Sequence, residues 1–327
     1  MAVYTDLRDD ELRQHLALYD LGGLHALKGI AEGVENSNFM LATDAGTFIL
    51  TLYEKRVNPV DLPFFLGLMD YLSARGINCP RPVAMRSGEM LGRLAGKPAA
   101  IVTWLDGISV RQPTPMQCRQ VGEVLAKMHL AANGFGIRRD NALTLHNWRP
   151  LAEKSASRAD EIEPGLARLI QTELDFLEAN WPANLPRGVI HADLFRDNVF
   201  FLKDDLSGVI DFYFASNDIL AYDLSICLNA WCFGQDFAFS VAKANALLAG
   251  YNYVRPLSRD EFSALPVLAR GSAMRFLLTR LYDWLNVPAG ALVIPHDPRE
   301  YLAKLKFHQA VADAATYGMN HAETGDS

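Results

Sequence analysis

Residues 186–213 hold three short apolar segments, GVIHAD, NVFFLKDD and SGVIDFYF, in a stretch whose periodicity from Pro113 onward is otherwise helical. This β-rich insert carries polar residues in a fixed order. His191-Ala192-Asp193 and Asn198 read as H-x-D-x-x-x-x-N, and Asp211 follows thirteen residues after Asn198, at the end of another short apolar strand. Asp193 falls where the chain leaves the strand GVIH. Asn198 and Asp211 flank the hairpin NVFFLKDDLSGVID, and a hairpin returns its two ends to one edge. Singly, each is an ordinary turn or cap residue. As an ordered set they match what phosphoryl transfer asks of a protein. One carboxylate accepts the proton of an attacking hydroxyl, and hard oxygen donors suit Mg2+ against phosphates.

The rest of the chain predicts an α+β fold of two lobes. At 327 residues it exceeds one average domain. Asp6 and Asp9 are candidate caps for a first helix with Leu12, Leu16 and Tyr19 on one face, and Gly22-Gly23 is its candidate stop. LHALKGIAEG, NSNFMLATD and GTFILTLYE read as three strands, the last two joined by a turn at Asp44-Ala45-Gly46. Residues 61–75 return to helical spacing, and NCPRPVAMRSG leads into a hairpin ending in AAIVTWLDG. Residues 115–132 and 165–180 are amphipathic helices, and helices resume at about 219 with breaks at prolines. The pattern predicts a small lobe with an antiparallel sheet at 1–104, a link near 104–107, and a larger helical lobe at 105–327.

Composition narrows the function. Thirty-one basic against thirty-eight acidic residues give a net charge of −7, whereas a nucleic-acid binder needs a basic face. Cys79, Cys118, Cys227 and Cys232 form no C-x-x-C pair, and a chain this long builds a core without disulfides. They read as reduced thiols of a cytoplasmic protein. MAVYTDLRDDELRQ lacks the apolar core of a signal peptide, and no apolar run reaches the roughly 18 residues of a membrane span. GRLAGK, at 92–97, has three residues between its glycines and no Ser or Thr after the Lys, so it is not a Walker A loop.

VIHADLFRDNVFF and GVIDFYFASND, with MAVYTDLRDDEL, LKGIAEGVENSNFML, FILTLYEKR, DLPFFLGLMDYLSARGINCPRPV and YDLSICLNAWCF, resemble the aminoglycoside phosphotransferase-like kinases, which share the protein-kinase fold. Within them the chain is similar to the bacterial homoserine kinase branch. The similarity runs through residues 1–232 and continues more weakly in MRFLLTRLYDW and HDPREYLAKL. The resemblance implies a two-lobed protein-kinase-like fold, ATP and Mg2+ as cofactors, and Asp193 as the catalytic base. It implies Asn198 and Asp211 as metal ligands, and His191 as a structural residue packing the catalytic loop. Asp223 is implied to brace that loop, with an ordinary helix cap as the alternative. The phosphate loop would comprise Gly33, Asn36, Ser37 and Asn38, where backbone amides and small polar side chains meet phosphate oxygens. Adenine would pack against residues 100–105, with the backbones of Thr103 and Leu105 at its edge.

One position departs from the family pattern: the Lys of the third strand aligns with Thr51. A short hydroxyl cannot replace that charge, and Lys55 and Arg56 are either substitutes or solvated strand-end charges. Asp61 is either the acidic residue of the small-lobe helix or its cap. Homoserine carries a carboxylate, an ammonium and the reacting hydroxyl, so its site needs a cationic fork and an acidic anchor. Arg275 and Arg280 are candidates for the first, with structural salt bridges as the alternative. Tyr213, Asn217 and Asp218 lie near the expected pocket, Asp218 as an ammonium anchor; His146 and Trp148 are further candidates. The alternatives are the same transfer to choline, ethanolamine, a thioribose sugar or an aminoglycoside, and a non-catalytic nucleotide-binding regulator, against which the intact Asp193, Asn198 and Asp211 argue.

Overall fold

A computed structural model describes residues 5–30, 36–54, 57–287 and 295–319. The chain divides into two compact units, each discontinuous in sequence. The first comprises residues 1–107, 134–139 and 207–213, and the second the remainder.

In the first unit, β1 (Leu24–Ile30), β2 (Ser37–Thr43), β3 (Gly46–Leu52), β4 (Gly92–Leu94) and β5 (Lys97–Thr103) form one antiparallel sheet in the order β1-β2-β3-β5-β4. Alternation decides its faces. Phe39 and Leu41, Leu50 and Leu52, and Ala99 and Ile101 pack with Leu12 and Leu16 of α1 (Asp9–Leu16) and with Tyr19. The intervening residues, Asn38 and Met40, Ile49 and Thr51, and Ala100 and Val102, point to the other face. Register pairs Asn38 with Thr51 and Thr51 with Ala100.

The start and stop of α1 differ from expectation. Its cap position is Arg8, with no side-chain cap bond, and Asp9, Asp10 and Glu11 fill the first turn, where carboxylates meet the positive end of the helix dipole. Asp6 and Asp9 therefore do not cap it. The helix ends at Leu16. Gly22, at φ +73°, serves a different close approach, since a Cβ there would lie 2.6 Å from that of Asp44. The Asp44 carboxylate accepts from the Gly23 amide and pairs with His25.

α2 (Leu62–Ser73) follows β3, and Asp61 does not cap it with its side chain, accepting instead from Arg139 at 2.9 Å. Residues 134–139 lie on α2 through Phe135, whose ring meets Phe64 and Tyr71. Residues 207–213 join through the Val209 amide, which donates to the Asn78 carbonyl at 3.0 Å, and through Tyr213, edge-on to Tyr53 and Phe65.

The second unit is helical around a buried centre. α3 (Pro115–Ala131) begins with a Thr114–Gln117 capping box and Pro115 in its first turn. All twelve residues of α6 (Leu220–Trp231) are buried. α7 (Val241–Val254) and α8 (Arg259–Leu285) pack against it together with α3, and α4 (Leu145–Glu153), α5 (Leu166–Asn180) and α9 (Pro298–Gln309) pack on α8. β6 (Arg187–Ile190) pairs with β9 (Ser216–Ile219), and β7 (Val199–Leu202) with β8 (Asp205–Val209). All four cysteines are free and buried, and burial pushes the Cys79 thiol up to about 12 and Cys118 to about 11.

Candidate active site

β6 ends at Ile190, and the catalytic loop follows at once. Ala192 stands at φ +63°, a region that non-glycine residues enter only when their surroundings hold them there. Asp223, in the first turn of α6, supplies much of that hold. Its carboxylate accepts from the amides of His191 at 2.7 Å and Ala192 at 2.8 Å, and bonds His129 of α3 at 3.0 Å. Burial would raise this carboxyl; the bond from His129, the charges of His129 and His191, and the His191 amide outweigh it and hold it below the usual carboxylate value. The other ring nitrogen of His129 bonds the Tyr251 hydroxyl at 2.7 Å. His129 and Tyr251 were not singled out in the sequence. A histidine on the apolar face of α3 was their only signal there.

His191 is buried, and its Nδ1 lies 3.3 Å from the Asp193 amide, placed to accept from it. Asp193 is half-buried. The Asn198 amide nitrogen donates to the Asp193 carbonyl at 2.8 Å and to its carboxylate at 3.3 Å. The indole of Trp231 donates to the Leu194 carbonyl, and Arg196 donates to the carbonyls of Ala230, Arg111 and Phe233. Arg275 of α8 donates to the Ala192 carbonyl at 2.5 Å. Asp193, Asn198, His191 and Asp223 therefore form one hydrogen-bonded loop and brace.

The other expected residues have their own surroundings. Asp211, half-buried at φ +64°, follows β8 in the first unit. The Tyr213 hydroxyl donates to that of Tyr53 at 3.3 Å. Asp218 is 1% exposed, and both its oxygens are engaged: Arg187 at 2.8 Å on one, Asn141 at 2.8 Å on the other. Arg280 donates to Glu300 at 2.5 Å and stacks on Tyr301, and Lys304 binds the other Glu300 oxygen. Burial would raise the Glu300 carboxyl, but the two cations bring it down to about 2. Trp148, expected near a cleft, is fully buried against Trp181 and donates to the Leu143 carbonyl; His146 is exposed.

In the first unit, Thr51 and Asn38 share a 2.8 Å hydrogen bond on the sheet face away from α1. Ser37 points to the opposite face and donates to Glu54 at 2.7 Å; Asn36 accepts from the Glu54 amide. Thr5 donates to Glu54, and Lys97 pairs with it. Burial would raise the Glu54 carboxyl, and hydrogen bonds from Lys97, Ser37 and Thr5 with the Lys97 charge lower it overall. In the sequence Glu54 is an ordinary strand-end charge, and Lys97 stands out only as the last residue of GRLAGK. The Thr103 amide donates to the Arg81 carbonyl, and Leu105 packs at the close approach of Gly208. Gly33, Lys55 and Arg56 lie outside the described residues.

Residues 26–257 match the Phosphotransferase enzyme family. The chain belongs to this family. Family relatives described as homoserine kinases include one from Agrobacterium fabrum, 61% identical over 98% of this chain and 99% of its own. Another, from Azorhizobium caulinodans, is 63% identical over the same shares. Among solved structures, an amicoumacin kinase in complex with AMP-PNP, Ca2+ and Ami superposes with a TM-score of 0.67 at 16% identity, covering 94% of each chain. That likeness shows the fold: protein-kinase-like, α+β, with an antiparallel-sheet portion and a helical remainder, as the sequence predicts.

Proposed function

We propose that this phosphotransferase is an ATP-dependent homoserine kinase, converting L-homoserine to O-phospho-L-homoserine in threonine biosynthesis. Identity near 60% along nearly the full length of homoserine kinases carries the reading. In this reading residues 1–104 form the nucleotide lobe and residues 105–327 the catalytic and substrate lobe of a cytoplasmic enzyme.

Asp193 orients the substrate hydroxyl and takes its proton as that oxygen attacks the γ-phosphorus and the bond to the β-phosphate oxygen breaks, releasing ADP. Asn198 fixes the base through its amide nitrogen, which leaves its carbonyl oxygen for a cation. That oxygen and the Asp211 carboxylate are hard donors of the kind Mg2+ takes, and they flank the β7–β8 hairpin. When bound, Mg2+ neutralises phosphate charge as the transition state forms. Asn38 and Thr51 line the nucleotide face of the sheet with small polar groups, and Asn36 directly precedes β2. The Thr103 amide is already bonded, so its carbonyl and the Leu105 backbone are the groups left for adenine. Tyr213 and Asp218 act by support, Asp218 because its charge is already matched inside the protein. Arg280 is paired with Glu300 through Nη1 alone, and with its side chain 13% exposed its other donors are the fork a dissolved carboxylate reaches.

ADP release measured against homoserine, choline, ethanolamine, methylthioribose and an aminoglycoside tests the substrate. Turnover is expected with homoserine, and none with it would remove the proposal. Asp193→Asn is expected to lower kcat by about 10²–10⁴-fold with ATP binding retained; near-normal turnover would exclude Asp193 as the base.

A further inference from the structure

The other buried charges of the second unit have partners of opposite sign. Lys304 has Glu300, Glu173 has Arg270, Glu261 has Arg255, Asp218 has Arg187 and Asp223 has His129. Arg275 is 2% exposed, and among the described residues no carboxylate lies within ion-pair distance of it. Its Nε also has no hydrogen-bond partner among them. An unpaired buried guanidinium is among the less favourable things a core can hold, so its surroundings bear on what it does.

Those surroundings are the catalytic segments. Nη1 donates to the carbonyl of Ala192, the left-handed residue directly before Asp193. The guanidinium carbon lies 4.4 Å from the ring centre of Phe276 and 5.6 Å from that of Phe214, three residues beyond Asp211. The Tyr222 hydroxyl stands close by without a well-aligned bond, and the buried Tyr301 hydroxyl feels the charges of both Arg275 and Asp193. Asp223 grips the left-handed turn through its amides and Arg275 through its carbonyl, so the peptide planes before the base are held from both sides.

We propose that Arg275 is a positioning residue for phosphoryl transfer: its guanidinium fixes the left-handed turn at Ala192 that aims Asp193, and ties that turn to Phe214. This replaces the substrate-anchor role expected of it from sequence, because a side chain sealed from solvent is closed to a dissolved carboxylate. The inference rests on Asp193 being the base. A small misplacement of a reacting group lowers the rate of the chemical step without weakening binding.

The test is steady-state kinetics of full-length Arg275→Met and Arg275→Lys, each first shown by circular dichroism and binding of an ATP analogue to be folded. Arg275→Met is expected to lose about 100-fold in kcat while KM for homoserine and for ATP stays near wild type. Arg275→Lys, which keeps one donor for the Ala192 carbonyl, is expected to recover part of that loss, and it decides the matter alone if the Met variant does not fold. A raised KM for homoserine at unchanged kcat would make Arg275 a substrate ligand and overturn the inference. Unchanged kcat with only a lower melting temperature would reduce it to packing and overturn it equally. If Asp193→Asn is inactive while Arg275→Met turns over normally, the positioning role alone is lost; an active Asp193→Asn removes the reading beneath it.

Discussion

At the scale of single residues, the site depends on a left-handed turn, since Ala192, directly before Asp193, stands at φ +63°. H-x-D-x-x-x-x-N names Asp193 and Asn198, yet nothing in it announces that Ala192 and Asp211 take φ near +63° and +64°. Ala95 and Lys203 share that region inside hairpin turns, where the geometry is ordinary. Ala192 is held there by partners distant in sequence, Asp223 and Arg275. The two arginines of α8 show the same limit. Sequence offers Arg275 and Arg280 as equal candidates, but five residues of helix turn them to different surroundings, one sealed and one partly open. Arg280→Met should therefore raise KM for homoserine about 10–100-fold, the range of a charge-assisted hydrogen bond, and leave KM for ATP unchanged. Initial rates over a homoserine titration decide it, and an unaltered KM places the carboxylate elsewhere.

At the scale of elements, what sequence reveals depends on whether packing obeys periodicity. β2, β3, α3 and α5 follow their patterns to within a few residues. β9 does not show, because Asn217 and Asp218 read as loop and cap; Asp218 is buried in a strand only because Arg187 and Asn141 match it there. α4 contains Pro150, and α8 runs for 27 residues through Pro266 where a break was expected. Proline removes one amide donor, and burial of the helix on several sides outweighs that loss. The α3–α7 crossing is equally hidden. A Cβ on Gly122 would fall well inside van der Waals contact of the Leu247 carbonyl, and one on Gly250 inside that of Arg119. The helices touch backbone to backbone, and neither partner atom is a flexible side chain that can yield. Gly122→Ala and Gly250→Ala should each destabilise by about 3 kcal/mol or more, at or beyond the usual range for overpacking, despite alanine's better helix propensity. Thermal melts would show it. An unchanged or higher midpoint for either variant would mean that the helices separate without resistance.

At the scale of the whole molecule, the chain order and the contact clusters differ. Residues 134–139 and 207–213 belong with the first unit through ring contacts and an ion pair that span long stretches of sequence, and such pairings leave no local pattern to read. The C-terminal side of the second unit is joined in a similar way. His308 of α9 is fully buried between Asn229 of α6 and Tyr317 near the end of the described chain. The Asn229 amide nitrogen donates to the Ala269 carbonyl, so its oxygen faces the ring and accepts from Nε2. Nδ1 is then bare and accepts from the Tyr317 hydroxyl. Both contacts suit a neutral imidazole. Burial, assisted by the charges of Lys304 and Arg270, brings His308 down to about 3 from its ordinary 6.5. Between those values the unfolded chain binds a proton that the folded one refuses, so stability falls as pH drops through that window, by up to about 1.4 kcal/mol per pH unit. Glu300, brought down to about 2 from 4.5, acts in the same direction but only below about 4.5. The interval from 6.5 to 4.5 therefore excludes Glu300; burial also lowers His15 and His296 from 6.5, so the His308 share is read as the difference between wild type and a variant at that one position. His308→Gln keeps a donor and an acceptor and cannot ionise. It should be less stable than wild type at pH 7.5, by about 1 kcal/mol for an imperfect replacement, and its urea midpoint should fall less steeply across that interval. Parallel curves for the two proteins would show that His308 takes up its proton without disturbing the joint between α6, α9 and the C-terminal turn.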